Sequence, residues 1–300
     1  MLKICISGCG DIGQRVAKRY LDQASINASD ISIYGLIRRE EGKSALQSRG
    51  IKPIIAHLDR SDVLDVLPTD DTLLFHFAPP PNNGKTDPRF RHLLEACEKN
   101  GLPEKIILLS TTAVYGDCQG EWVDETTAVN PQTDRGRRRL DAENALSEWA
   151  EKRRIPFVIL RVSGIYGPGR LPIERLQQGL PILREDLAPY SNRIHQDDLA
   201  MVCVAAAERA PNGSVYNVCD GHPSTMSHYF KSIAAALGLP SPPEIDREQA
   251  QLQLSAGMLS YLSESRRMGN EKLLSDLGIA LQYPDLAAGL AGLQAETMAS

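Results

Sequence analysis

Two short runs in this chain set anion-binding groups at defined spacings. Near its start, GCGDIG places Gly8, Gly10 and Gly13 in the order G-x-G-x-x-G, directly after the apolar run Leu2 to Ser7 and directly before an apolar-periodic segment that begins at about Asp11. A strand–turn–helix of this kind uses its glycines differently. The first permits the tight turn, the second lets backbone approach a pyrophosphate and the third lets helix pack on strand, while the helix N-terminus supplies N–H groups and positive dipole. Gly8, Gly10, Asp11, Ile12 and Gly13 are thus expected to bind the phosphates of a dinucleotide. The second run is RGRRRLDAE, Arg135 to Glu143. A guanidinium stays protonated at working pH, so these side chains cannot act as general acids or bases, but they can bind a carboxylate or a phosphate. The same run also reads as a solvated helix with Arg137–Asp141 and Arg139–Glu143 pairs, each worth about 0.2 to 0.5 kcal/mol.

Cofactor choice is expected at the end of the second apolar run, Ile31 to Ile37, where an acidic residue would accept from the ribose of NAD. Here Arg38 and Arg39 follow instead. A planar, bidentate donor suits the 2′-phosphate of NADP, so NADP is expected rather than NAD; the alternative is a pair of exposed arginines answering Glu40 and Glu41.

The elements that must position these groups follow from hydrophobic patterning. Short apolar runs at Leu2 to Ser7, Ile31 to Ile37, Pro53 to Ala56, Thr72 to Phe77, Lys105 to Ser110 and Phe157 to Arg161 alternate with helical segments. Strands without a polar face belong to a parallel sheet covered on both sides, so the fold class is α/β, a doubly wound Rossmann-type sheet. A helix from about Asp197 to Arg209 and a strand near Ser214 to Cys219 return to that sheet. Residues 1–166 and 195–220 form the expected dinucleotide-binding domain. Residues 167–194 and 221–300, with a helix from His228 to Leu237, a Pro-rich link and two short helices near Asn270 to Leu277 and Pro284 to Leu293, form a small substrate-side lobe.

With 300 residues, 42% of them hydrophobic, there is enough chain for one large domain or a domain with a smaller lobe, and a net charge of −5 argues against nucleic acid or an anionic membrane as partner. The six cysteines include no C-x-x-C pair and no histidine at metal-ligand spacing, which predicts reduced thiols, no metal site and a cytoplasmic protein. No apolar run approaches the length of a signal core or a membrane span.

Several segments together resemble the extended short-chain dehydrogenase/reductase family, the nucleotide-sugar epimerases and dehydratases. LLSTTAVYGD at Leu108 to Asp117 is similar to that family's Ser-Ser/Thr-x-x-Val-Tyr-Gly run, and WVDE at Trp122, LRVSGIYGPGR at Leu160 to Arg170, RIHQDDLA at Arg193 to Ala200 and YNVCDG at Tyr216 extend the likeness over most of the chain. The glycine turn is one residue shorter than the usual G-x-x-G-x-x-G. The resemblance implies a Thr111 hydroxyl bonded to the reacting oxygen, or alternatively capping the following turn. It implies a turn at Ala78 and Pro79 against the cofactor, and Val162 and Ser163 beside the nicotinamide. Where the family has Tyr-Gly-x-x-Lys, alignment on Gly136, Leu140 and Glu143 puts Arg135 at the Tyr and Arg139 at the Lys. The catalytic pair is absent and its face is arginine. The family's substrate-phosphate Arg falls on Ser191; Arg193 lies on the same face of an extended segment, and either holds an anionic substrate group or pairs with Asp197 or Asp198. His76, Tyr115, Tyr166 and His195 are the remaining imidazole or phenol groups near the cleft, each with a structural reading. The resemblance further implies a small-molecule substrate and a homodimer, and leaves two activities open: an oxidoreductase or epimerase with a non-standard active site, or a non-catalytic NADP-binding sensor.

Overall fold

The computed structural model describes residues 1–298. Seven strands form one sheet: β1 (Leu2–Ser7), β2 (Ile31–Ile37), β3 (Lys52–Ile55), β4 (Leu73–His76), β5 (Lys105–Thr111), β6 (Phe157–Val162) and β7 (Ser214–Val218). Every pairing is parallel and the order is β7-β6-β5-β4-β1-β2-β3. Strand order reverses between β1 and β4, which is where an open α/β sheet leaves a crevice at its carboxyl edge.

The inner strands alternate between two apolar layers. Ile4, Ile6, Phe75, Ile107 and Val158 face one way, onto α1 (Asp11–Asn27) through Val16, Ala17 and Tyr20 and onto α4 (Gln196–Arg209) through Leu199, Val202 and Cys203. Cys5, Leu74, Ile106, Leu108 and Ile159 face the other way, onto α2 (Pro88–Asn100) through Phe90 and Leu93 and onto α3 (Asp134–Arg153) through Ala142, Leu146 and Trp149. Burial on both faces explains the near absence of polar residues in these strands.

Outside the sheet, Tyr166, Leu176, Ile182 and Leu290 pack with Tyr229, Phe230 and Ile233 of α5 (Met226–Ala236) in a separate cluster. The Pro-rich link contains a strand, Glu244–Ile245, parallel to Ile182–Leu183. Beyond it come α6 (Arg247–Gln253) and α7 (Ala256–Leu262), two helices that the periodicity does not predict because they are short and bury little: Ala250 is the buried residue of α6 and α7 has none. Their caps were nonetheless written in the sequence, as a reciprocal Asp246/Gln249 capping box and as Ser255 accepting from Met258 N. Next, α8 (Glu271–Leu277) returns to the large core with Leu273 and Leu277, and α9 (Leu286–Met298) packs against α5. Residues 299 and 300, assigned to the lobe on sequence, lie outside the described residues. No helix among the described residues is long and apolar enough to cross a membrane.

The strand that carries Thr111 is fixed at its start by Lys105, whose Nζ donates to the carbonyls of Ala206, Ala207 and Ala210 at 3.1, 3.0 and 2.9 Å. These are carbonyls at the C-terminal end of α4, of which Ala206 O also accepts from Ala210 N, so a cation there meets spare acceptor capacity and the negative end of the dipole. Lys105→Met keeps the apolar stem and removes the ammonium. It is expected to lower unfolding stability by about 1.5 to 3 kcal/mol in urea titration, and an unchanged midpoint would show that water serves those carbonyls equally well.

Candidate functional site

The glycine turn is built as its spacing requires. Gly8 has φ +88°, and a Cβ there would overlap the backbone of Ala78; at Gly13 a Cβ would come within 2.9 Å of Ile6 Cγ2. Gly10 is different, since a Cβ there would meet nothing within 4 Å. The middle glycine therefore faces open space at the N-terminus of α1, which has no side-chain cap. The Phe77 and Ala78 N–H groups both donate to Ser7 O, at 2.8 and 3.1 Å, locking the turn after β1 to the turn after β4.

A cavity of about 340 Å³ opens at this carboxyl edge. Gly10, Asp11 and Ile12 form one wall, Leu109, Ser110 and Thr111 of β5 another, and Val162, Ser163 and Ile165 a third; Phe77, Arg139 and Arg170 complete it. The sequence-predicted residues Gly10, Asp11, Ile12, Thr111, Arg139, Val162 and Ser163 are thus brought together. Ala78 lies beneath Gly8, and Pro79 O accepts from Arg89 at 3.0 Å, so both serve the turn's support. A larger cavity of about 630 Å³ lies against Asn212 to Val215, at the amino end of the edge strand β7. Ligands of open α/β sheets bind at the carboxyl ends, so the smaller cavity is the candidate site.

Thr111 lines the cavity, and its Oγ1 accepts weakly from Ala113 N at 3.4 Å, capping the following turn. Behind it, Ser110 Oγ donates to Glu143, which is buried and ion-paired to Arg161 at 2.9 Å; Arg161 in turn donates to Tyr115 Oη at 3.0 Å, and Tyr115 Oη donates to Asn217 at 2.8 Å.

The arginines of α3 do not make the two i,i+4 pairs that the sequence suggests, and most of their partners lie on other elements. Arg137 pairs with Asp134 at 2.8 Å, Asp141 with Arg91 at 2.6 Å and Glu143 with Arg161, so the expected Arg137–Asp141 and Arg139–Glu143 pairs do not form. Carboxylates that point inward from α3 are taken by elements packed on it. Arg138 donates to Gly84 O at 2.7 Å, Arg139 donates to Ala78 O at 3.2 Å and stands 3.9 Å from Asp87, and Asp87 N donates to Asp141 at 2.8 Å. Together they clamp the 78–87 loop over the turn. Burial lowers Arg139 to about 10, with Asp87 and Glu143 opposing, so it remains a cation at neutral pH.

Arg135, which the family resemblance aligns with a tyrosine, does not line the cavity. Its guanidinium lies 4.0 Å from the Tyr261 ring centroid, donates to Ser260 O at 3.2 Å and sits 3.5 Å from the buried carboxylate of Glu264. It binds α7 to α3.

The other candidates are also held in structure. Tyr115 is enclosed by Arg161 and Asn217, Tyr166 donates to Asp285 O at 3.1 Å, and His195 Nδ1 accepts from Asp197 N at the start of α4. Arg193 is buried, stacked 3.9 Å from the Tyr229 ring centroid, with NH1 beside Gly164. It pairs with neither Asp197 nor Asp198: Asp197 meets Arg15, and Asp198 accepts from Gln282 N and Tyr283 N at 2.8 and 2.9 Å. Arg38 and Arg39 are exposed beyond β2. Near them Asp59 is held below the usual carboxylate range by hydrogen bonds from Arg89, with smaller contributions from His57 and Arg38. Arg170, Phe77, Leu109, Ser110 and Ile165 line the cavity without having been singled out as site residues. Arg170 sat within a recognised motif, but nothing local signalled where its side chain would go. Among the described residues no His, Cys, Asp and Glu group could hold a metal ion.

Comparison with known proteins agrees with this fold. Residues 89–219 match the NAD dependent epimerase/dehydratase family. The chain is similar to Protein YeeZ of Escherichia coli (strain K12), 29% identical over 95% of this chain and 97% of that one. Among solved structures it is similar to a functionally unknown conserved protein from Silicibacter pomeroyi DSS, 30% identical with TM-score 0.82 over 99% of both chains. It also shares its fold with UDP-glucose 4-epimerase from Thermotoga maritima, 19% identical with TM-score 0.76 over 99% of this chain and 100% of that one.

His76 adjoins this site from below. It is fully buried, its Nδ1 lies 3.1 Å from Ser7 Oγ, and burial, aided by the Arg139 charge, holds its pKa well below 6.5. The unfolded chain therefore binds a proton below about pH 6.5 that the folded chain refuses, and this contribution to stability is complete above that pH and lost as pH falls, by up to about 1.4 kcal/mol per pH unit. NMR of the imidazole carbons is expected to show His76 untitrated from pH 8 to 5. A midpoint near the ordinary histidine value would mean that the ring is solvated.

Proposed function

Because the chain belongs to the NAD-dependent epimerase/dehydratase family, we propose that it binds NADP across the glycine turn and acts as an oxidoreductase or epimerase on a small polar, anionic, sugar-nucleotide-like substrate. The observation that carries this reading is the convergence of Gly10, Thr111, Arg139 and Ser163 on one cavity at the strand-order reversal. The residues fit a dinucleotide. The middle glycine is open, the helix end above it is uncapped, and Arg38 and Arg39 are exposed just beyond β2, which supports the reading that they meet a 2′-phosphate. Bound there, the cofactor supplies hydride transfer. The chain's own part is to hold it on Gly10, Asp11, Ile12 and Gly13, to place Val162 and Ser163 against the nicotinamide end, and to offer the Thr111 hydroxyl to the reacting oxygen. Arg139 contributes a fixed cation to that wall; Arg193, buried beside the exposed Gly164 and outside the cavity lining, would meet an anionic group of the substrate only from the Gly164 side.

One observation favours the second reading, a non-catalytic NADP-binding sensor. Among the described residues lining the cavity there is no His, Tyr, Lys or Glu, and the arginine at the tyrosine position is turned onto Tyr261 and Glu264.

Cofactor binding is tested by titrating NADPH and NADH calorimetrically. The guanidinium–phosphate contact is worth about 1.5 to 3 kcal/mol, so NADPH is expected to bind about ten- to a hundredfold more tightly. Arg38→Asp should erase that ratio and Gly10→Val should abolish binding of both without unfolding the protein, since its Cβ meets nothing. Near-equal binding in the parent would exclude 2′-phosphate recognition, and full affinity in Gly10→Val would exclude this turn.

The two activities separate in a screen of carbonyl and sugar-nucleotide substrates followed by NADPH absorbance. An enzyme turns over and loses about 2.7 to 4 kcal/mol of barrier lowering in Thr111→Val if that hydroxyl acts as an oxyanion donor. Binding without turnover across the screen selects the sensor, and undiminished activity in Thr111→Val removes Thr111 from the chemistry.

A further inference from the structure

A negative side chain stands at the mouth of a site built for anions. Asp11 is the first residue of α1, next to the open Gly10, and it lines the cavity. A carboxylate in the first helical turn favours the helix itself, but it repels a phosphate approaching the same N–H groups. Two arginines answer it: Arg15 Nε at 2.9 Å and Arg170 Nε at 2.9 Å.

The two differ in what they have left over. Arg15 also pairs with Asp197, so its charge is shared between two carboxylates. Arg170 gives Asp11 only its Nε–H; among the described residues neither terminal nitrogen of its guanidinium has a hydrogen-bond partner. Those two nitrogens carry four N–H donors in a planar fork, which matches the oxygens of a phosphate. Arg170 lines the same cavity as Gly10 and Ile12 and comes from a segment 159 residues beyond Asp11 in the chain. It is presented by a loop with Gly167 at φ +138° and Gly169 at φ +75°, and a Cβ at Gly169 would meet nothing within 4 Å, so the segment has room at its tip.

We propose that Arg170 is a ligand of the cofactor's pyrophosphate, closing over it from the loop after β6 while Asp11 holds the guanidinium in position through Nε. The proposal rests on the dinucleotide reading of the turn and adds a cationic counter-wall to it. Asp11 is then an orienting partner, whose own negative charge is cancelled by the two arginines. Hydrogen bonds from Arg170 and Arg15 outweigh the effect of partial burial and keep Asp11 below the ordinary aspartate range, so it stays ionised at neutral pH.

The test is a double-mutant cycle read by calorimetric titration with NADPH, NADH and AMP, with circular dichroism and thermal melting confirming that each variant is folded. Arg170→Ala should weaken NADPH and NADH alike, by about tenfold or more, because the pyrophosphate is common to both. AMP, which keeps only one of the two bridged phosphates, should be weakened less. The alternative is that Arg170 only neutralises Asp11. In that case Asp11→Asn combined with Arg170→Ala restores the parent's affinity, and this outcome overturns the proposal, as does unchanged affinity in Arg170→Ala. A double variant as weak as Arg170→Ala supports it. The cofactor reading fails separately: if Gly10→Val binds as the parent does, the turn itself is not the site. If Gly10→Val loses binding and Arg170→Ala does not, the turn stands and Arg170 is excluded.

Discussion

The contact between Gly8 and Ala78 is the constraint on which the site depends. Two parallel strands whose chains depart in opposite directions leave a crevice only if their following turns can lie on each other, and at Gly8 a side chain of any size would push the turns apart. With both Phe77 N and Ala78 N on Ser7 O, the two strand ends move as one piece. Arg139 then takes hold of Ala78 O from α3, and Gly13 lets α1 sit down on Ile6. The open space above Gly10 is what remains once those closer contacts have been satisfied.

The same packing explains the arginine-rich face. In a helix read by itself, four arginines suggest a solvated surface, and their cheapest partners are carboxylates a turn away. In the folded protein Gly136, Arg138, Ala142 and Glu143 are buried, and the charged groups reach backbone carbonyls and carboxylates on other elements. A guanidinium removed from water needs such partners, because an unpaired buried charge costs several kcal/mol. Arg138 and Arg139 meet that requirement by fastening the 78–87 loop.

The parts of the site that were legible in the sequence are those whose physics is local. G-x-G-x-x-G after an apolar strand specifies turn, helix start and packing within six residues, and the apolar runs specify a doubly covered sheet. Thr111, Val162 and Ser163 followed instead from the resemblance of their motifs to a known family, and all three reach the cavity. What was not legible depends on partners far away in the chain. Arg138 meets a carbonyl 54 positions earlier and Arg170 meets Asp11 159 positions earlier, and no spacing rule encodes either. Helices α6 and α7 escaped for a different reason: seven-residue segments that bury one residue or none leave hardly any periodicity to read.

Arg135 carries a consequence for how the fold tolerates substitution. Its guanidinium is the cation above Tyr261 and beside Glu264, whose carboxylate is 2% exposed and otherwise relies on Arg266 and Thr133. A neutral side chain at 135 would withdraw a positive charge from a buried carboxylate and a stacking partner from α7. Positions 135, 261 and 264 therefore form one unit, in which a change at any of them is felt by the other two through the docking of one short helix.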